Sequence, residues 1–391
     1  MKRDTELLHI GDTPCDWNGA VNPPVVHASL FCFESLQEYL DTAAGRTQRY
    51  VYGRSGNPTT RVLEEKIAFL ERTDDALALA SGMAAISTAL LAYLRSGDHL
   101  LVVSCVYGPV RQLCDGMLRQ LGVETEYFPC SASADLSAYM RPNTRVIYVE
   151  SPGSLTFDVQ DLRAVARVAR AHGAITMIDN TWATPLYQAP IPLGIDLSLH
   201  AGTKYIGGHS DLMLGLVAGS AEAMAPVRAT ARLLGGILAP DDAYLAIRGL
   251  RTLPVRMARH QESALKVARW LETRPEVREV LHPGLPSFPG YALAKTQLCG
   301  YSGLFGFRLQ PRDAAARHRF VDALLDVFSL GYSWGGYESL ILPLITHQKD
   351  NPALRRALGL DDDTYRISIG LEDPDDLIAA LERALATWAS A

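Results

Sequence analysis

The chain has 391 residues, 48% of them hydrophobic and 20% charged, which is enough for a sizeable core and more than one domain. Its formal net charge of −6 argues against a nucleic-acid partner, which requires a basic excess or patch. None of its six cysteines forms a C-x-x-C pair, so zinc-ribbon and thioredoxin-like readings fall away, and reduced thiols in a cytoplasmic protein are expected.

The first element, residues 1–50, reads as an irregular arm punctuated by Pro23-Pro24 and Gly45. Its opening, "MKRDTELLHIGDTP", has no apolar core of signal-peptide length. "TTRVLEEKIAFLE" (Thr59 to Glu71) has helical spacing at Val62, Ile67 and Leu70. The uncharged stretch Ala76 to Leu94 is long enough to span a bilayer, but Ser81-Gly82 interrupts it and both flanks are charged. It predicts a short strand followed by a buried helix, and no membrane association.

"LLVVS", "RVIYVE", "ITMID" and "LGLVAG" predict short buried strands. "DLRAVARVARAHG" (Asp161 to Gly173) predicts an amphipathic helix closed by glycine. This alternation implies an α/β fold with a mainly parallel central sheet covered by helices. Ligands of such sheets bind at the carboxyl ends of the strands. Residues 51–240 read as this large, cofactor-binding domain. Residues 241–391 read as a smaller C-terminal α/β domain. It begins with a long helical stretch, Asp241 to Glu272, expected to break near Pro254. "GLFGFRLQ", "YRISIG" and a closing helix, "DPDDLIAALERALATWA", follow.

Chemistry-bearing residues fall just after the predicted strands. Asp179 ends "ITMID"; alone it reads equally as a turn cap. Ser81, Gly82 and Met83 open a helix whose free N–H groups suit a phosphate, although Ser81 by itself is an ordinary N-cap. Tyr52 and Arg54 lie in "YVYGRSGNPTT", which alone is a turn; Arg54 offers a bidentate phosphate contact. Tyr107 follows "LLVVSCV" and suits stacking on a planar ligand, or a half-buried position. Arg366 alternates with Tyr365 and Ile367 in "YRISIG" and needs an anion there, a ligand or a structural ion pair. Lys204, in "LHAGTKYIGGHSD", sits among small and hydroxyl residues where the backbone passes close to something. His200 and His209 lack metal-ligand spacing, and no metal is expected.

Together these residues name a planar ligand with a phosphate, a ring nitrogen wanting a carboxylate and an aldehyde wanting a lysine. Pyridoxal phosphate fits that description.

The motifs "YVYGRSGNPTT", "ASGMAAI", "VYGPVRQLCDG", "ESPGS", "IDNTWATP", "GTKYIGGHSD", "RGLRTLPVRM", "YSWGGYESLI" and "RISIGLEDPDDLIAAL" occur in one order along nearly the whole chain. In this the sequence resembles the Cys/Met-metabolism family of pyridoxal-phosphate enzymes, which have the aspartate-aminotransferase-like fold, PLP fold type I. The resemblance implies that Lys204 bonds the cofactor aldehyde and moves protons, and that Asp179 pairs with the ring nitrogen. It implies that Tyr107 stacks on the ring, and that Gly82, Met83 and Thr203 bind the phosphate. Arg366, with Ser154 and Ser333, would clamp the substrate carboxylate. Tyr52 and Arg54 would reach the cofactor of a neighbouring subunit, which implies a homodimer at minimum and an expected homotetramer.

Within the family, "YSWGGYESLI" resembles the branch that eliminates homocysteine from the Cβ of L-cystathionine. Many γ-acting relatives carry an acidic residue where Tyr332 stands and a leucine where Trp334 stands. "YGRSGNPT" and "THQKDNPALRRALGLDDDTYRISIG" look more like the γ-acting branch. A small sulfur amino acid is the implied substrate, with β- and γ-chemistry both open.

Overall fold

The computed structural model describes residues 2–389. Two sheets organise the chain. The larger is built from β1 (Asp75–Leu79), β2 (His99–Val103), β3 (Glu124–Phe128), β4 (Thr144–Glu150), β5 (Ile175–Asp179), β6 (Leu197–Ala201) and β7 (Gly215–Gly219). Its order is β1-β7-β6-β5-β4-β2-β3. The β3, β2, β4, β5 and β6 neighbours pair parallel, while β7 runs antiparallel to both β6 and β1. The sheet is therefore mainly parallel with one reversed strand. Every residue of β2 and of β7 is buried, as expected for strands covered on both faces.

Helices form where the sequence places caps and apolar stripes. The Leu162–His172 helix starts on Asp161, whose side chain accepts from the Ala164 N–H, and stops at Gly173 with φ of 67°. The Ala76–Leu94 stretch is β1 followed by the Gly82–Tyr93 helix, capped by Ser81. Among the described residues no helix is long and apolar enough to cross a membrane.

The smaller sheet comprises β8 (Val277–Leu281), β9 (Leu304–Leu309), β10 (Ser329–Leu330), β11 (Leu340–Pro343) and β12 (Thr364–Ser368). Its order is β10-β11-β12-β9-β8. Phe305, Phe307, Phe320, Tyr365 and Trp388 fill the core between this sheet and its helices, the last of which is Pro374–Ala389.

The expected break near Pro254 is not observed. One helix runs continuously over Pro240–Glu272. Proline removes one backbone donor and crowds the preceding turn. The carbonyl that loses its donor is that of Leu250; one residue earlier, Thr252 Oγ1 and Arg256 Nη2 both donate to the Gly249 carbonyl, at 3.2 and 2.7 Å. The same helix joins the two sheets. Arg256 Nη1 donates to the Tyr205 carbonyl at 2.7 Å, and one turn later His260 Nδ1 donates to the Ile369 carbonyl at 2.8 Å. Tyr205 follows Lys204, and Ile369 follows directly on β12, the strand that carries Arg366.

Candidate active site

A cavity of about 260 Å³ opens at the carboxyl ends of β2, β4, β5 and β6, closed on its far side by the smaller sheet. Lys204, Asp179, Tyr107 and Arg366 all line it, with Gly82, Met83, Ser154, Thr203, Tyr332 and Trp334. Ser333 joins them through Lys204, whose Nζ donates to Ser333 Oγ at 2.8 Å. The same Nζ lies 5.4 Å from the centre of the Trp334 ring.

The backbone segments around the cavity pack closely on one another through glycines. A Cβ added at Gly82 would lie 2.8 Å from the Ala201 side chain, and one at Gly335 would lie 3.1 Å from the Lys204 carbonyl carbon. Gly335 also holds φ of +81°, which suits only glycine. A Cβ at Gly215 would fall 1.9 Å from the Ser81 carbonyl oxygen, so β7 packs directly under the start of the Gly82–Tyr93 helix. The first N–H groups of that helix, at Gly82 and Met83, have no intrahelical acceptor and border the cavity. Thr203 stands opposite, with its hydroxyl accepting from the Leu214 N–H at 2.9 Å.

The charges of the cavity lack ordinary counter-charges. Arg366 is buried and donates from Nη2 to the Tyr332 carbonyl at 2.6 Å. No described carboxylate lies within ion-pair distance of it, which removes the structural ion pair as its reason for being there. Burial lowers its pKa to about 10. Burial, reinforced by Arg366, lowers the Lys204 pKa to about 8, while Asp179 opposes the shift. Asp179 is buried at the end of β5 and its carboxyl is pushed up by that burial. The Thr181 N–H and hydroxyl both donate to its Oδ1, the N–H at 3.0 Å, and Oδ2 takes neither bond. The Tyr107 ring is 44% exposed and its phenol is raised by burial.

Two residues of the cavity have no counterpart in the sequence reading. Glu150 ends β4 directly beside Asp179 in the strand register, and its Oε2 accepts from the Tyr107 N–H at 2.7 Å. Burial, together with the neighbouring Asp179, holds its carboxyl well above the usual range. The rule that singles out Asp179, a carboxylate at a strand's end, also applies to the closing residue of "RVIYVE". Thr181 has no such signal; its hydroxyl donates to Asp179 and accepts from the Ala201 N–H at 2.8 Å, tying β5 to β6. Tyr52 and Arg54 are not brought to this cavity. Arg54 Nη1 donates to the Arg232 carbonyl at 2.5 Å in a separate depression.

A half-buried amine, a buried carboxylate, a helix start and a guanidinium with no described carboxylate partner thus converge on one space. A model of the Cys/Met metabolism PLP-dependent enzymes matches residues 4–386. The chain belongs to this family. It is 43% identical over 395 residues to the cystathionine beta-lyase of Bordetella avium, covering 98% of this chain and 97% of that one. It is 38% identical over 385 residues to the L-methionine gamma-lyase of Pseudomonas putida, covering 97% and 96%. The structure superposes with a TM-score of 0.93 on a cystathionine gamma synthase from Xanthomonas oryzae pv. oryzae, 34% identical, covering 100% of this chain and 99% of that one.

Pyridoxal phosphate is the cofactor of this family, and the cavity fits it. The Gly82 cradle and the unfilled helix donors suit a phosphate; Oδ2 of Asp179 suits a protonated ring nitrogen; Lys204 suits an aldehyde. One consequence is measurable on the cofactor-free protein. The neutral amine attacks an aldehyde, and its fraction rises as pH passes up through about 8. Cofactor uptake, followed by visible absorbance, is expected to accelerate with pH and level off above that value. A rate still climbing beyond pH 10, as for an exposed lysine of pKa about 10.4, would contradict the lowered value.

Proposed function

We propose that the protein is a carbon–sulfur lyase that cleaves L-cystathionine at Cβ, releasing homocysteine, pyruvate and ammonia. The cofactor, when bound, supplies an electron-withdrawing ring that takes up the charge left when a Cα bond of the substrate breaks. Arg366 binds the substrate α-carboxylate through paired N–H groups, helped by Ser154 and Ser333, and so sets which Cα bond faces the ring. Lys204 Nζ, its pKa lowered to about 8 chiefly by burial, takes the Cα proton in its neutral form. Asp179 Oδ2 keeps the ring nitrogen protonated, while Gly82, Met83 and Thr203 hold the phosphate. Tyr107 would cover the ring, and its phenol would assist proton transfer to the departing sulfur. Tyr52 and Arg54, remote from their own cavity, complete the phosphate site of a second copy, in a homodimer or a pair of homodimers.

The observation that carries the β-reading is the character of the wall beside Lys204. Elimination at Cγ needs a second proton removed, from Cβ. The residues that flank Ser333 are Tyr332 and Trp334, both uncharged, and the cavity's carboxyls, Glu150 and Asp179, stand at the strand ends instead. Relatives named cystathionine beta-lyase support the same reading. The γ-acting relatives and the γ-like segment before β12 favour the second reading, γ-elimination or γ-substitution. Incubating the holoenzyme with L-cystathionine and quantifying both keto acids separates them. Pyruvate with homocysteine is expected; 2-oxobutyrate with cysteine would establish the second reading.

A further inference from the structure

Cys105 and Cys130 lie two residues beyond Val103 and Phe128, which are register partners at the carboxyl ends of the neighbouring strands β2 and β3. Their side chains converge, with the Cys130 thiol donating to Cys105 Sγ at 2.7 Å. Cys130 is half-buried at the start of a turn, and Cys105 is buried beneath it. Cys105 packs behind the active-site lining, against Gly153 and Ser154. Its carbonyl accepts from the Ser154 N–H at 3.1 Å, and a Cβ added at Gly153 would fall 2.5 Å from its sulfur. Gln160 Nε2 donates to the same sulfur at 3.5 Å, and Tyr107 follows two residues later. The proposed roles of Tyr107, Ser154, Lys204 and Arg366 use neither thiol.

Asp158 also lies near the two sulfurs, and the three groups are within ligand-bridging distance of one another. A metal ion is the poorer occupant. A tetrahedral ion with bonds of about 2.3 Å would hold two sulfurs roughly 3.8 Å apart, farther than they stand here.

We propose that Cys105 and Cys130 form a reversible intrachain disulfide that displaces Tyr107 and Ser154 and lowers turnover. The oxidant class is a hydroperoxide. The more accessible Cys130 sulfur attacks the peroxide; an S–O bond forms, the O–O bond breaks, the sulfur keeps the hydroxyl, and the other oxygen takes up the Cys130 thiol proton and leaves as water or an alcohol. The Cys105 sulfur then attacks Cys130. An S–S bond forms, the S–O bond breaks, and the Cys105 proton leaves with the hydroxyl as water. Two thiols are oxidised by two electrons in all and one peroxide is reduced by two. A dithiol reverses the step by exchange. The hydrogen bond from Cys130, and then burial, keep the Cys105 thiol protonated until this second step. The effect reaches catalysis because a displacement near 1 Å at reacting groups costs roughly 10²-fold in rate.

The coupling to turnover rests on the proposed lyase activity; the disulfide itself does not. The test treats the holoenzyme and its Cys130→Ser variant with hydrogen peroxide. Peptides are mapped without reduction, visible circular dichroism of the cofactor band is recorded, and total keto acid from L-cystathionine is measured. In the wild type a Cys105–Cys130 linked peptide is expected, with altered dichroism and a rate lowered about tenfold or more, all restored by dithiothreitol. The variant should keep its rate under the same treatment. Absence of the link, a link to other cysteines only, a link with unchanged dichroism and rate, or one zinc bound per chain would each overturn the proposal. Mapping and dichroism need no substrate, so they stand whichever keto acid the enzyme makes.

Discussion

Lys204→Ala is expected to abolish turnover and the visible band of a lysine-bound cofactor while leaving the fold intact. The side chain reaches into an existing cavity and its described hydrogen bond is to the exposed Ser333 Oγ, so its removal exposes no buried partner. It also removes a desolvated cation, which the lowered pKa marks as an unfavourable state of the empty site. Stability is therefore expected to hold or rise. Loss of the positioned base alone is worth about 10²–10⁴-fold, and loss of the covalent attachment adds to it. Far-ultraviolet dichroism and thermal unfolding check the fold; keto-acid release checks the rate. A variant that kept turnover within tenfold of the wild type would remove Lys204 from the reaction.

Arg366→Ala is the second large effect. The guanidinium is buried on β12 with no described carboxylate within ion-pair distance, and its described acceptor is the Tyr332 carbonyl. A residue so placed is unfavourable for the folded chain alone, because burial disfavours its charge. Two charge-assisted hydrogen bonds to a substrate carboxylate contribute about 3–6 kcal/mol in all, which is roughly 10²–10⁴-fold in kcat/KM. The thermal midpoint of Arg366→Ala is expected to stay near that of the wild type. Arg366→Lys should recover little, because a point charge does not reproduce the planar fork. An unchanged kcat/KM in Arg366→Ala would place the substrate carboxylate elsewhere.

Much of this architecture is legible in the chain because buried parallel strands are written as continuous apolar runs. "LLVVS", "RVIYVE" and "ITMID" become β2, β4 and β5 within a residue of each end. β3, "ETEYF", escapes that rule because it is an edge strand with a half-exposed face, and its polar residues hide the period. β7 shows its strand character but not its direction, since pairing sense is a property of the whole sheet. The helix through Pro254 overrides a sound local rule: it runs unbroken over Pro240–Glu272 and buries Leu250, Leu253 and Met257 on both sides of the proline.

The site divides in the same way. Lys204, Asp179 and Arg366 are visible as residues out of place in their local text. Glu150 acquires meaning only from the register that sets it against Asp179. The contact between Lys204 and Ser333 joins segments 129 residues apart and has no local signature at all.

The helix that joins the two sheets has a consequence for how such enzymes diverge. Arg256 and His260 grip backbone carbonyls, those of Tyr205 and Ile369, rather than side chains. A main-chain oxygen is present whatever residue stands there. These two bonds therefore survive substitution at positions 205 and 369 so far as the acceptor is concerned. The side-chain contacts that also link the halves, from the Gly303 N–H to Tyr205 Oη and from Ser210 Oγ to Glu338, tie the identity of residues on one side to those on the other.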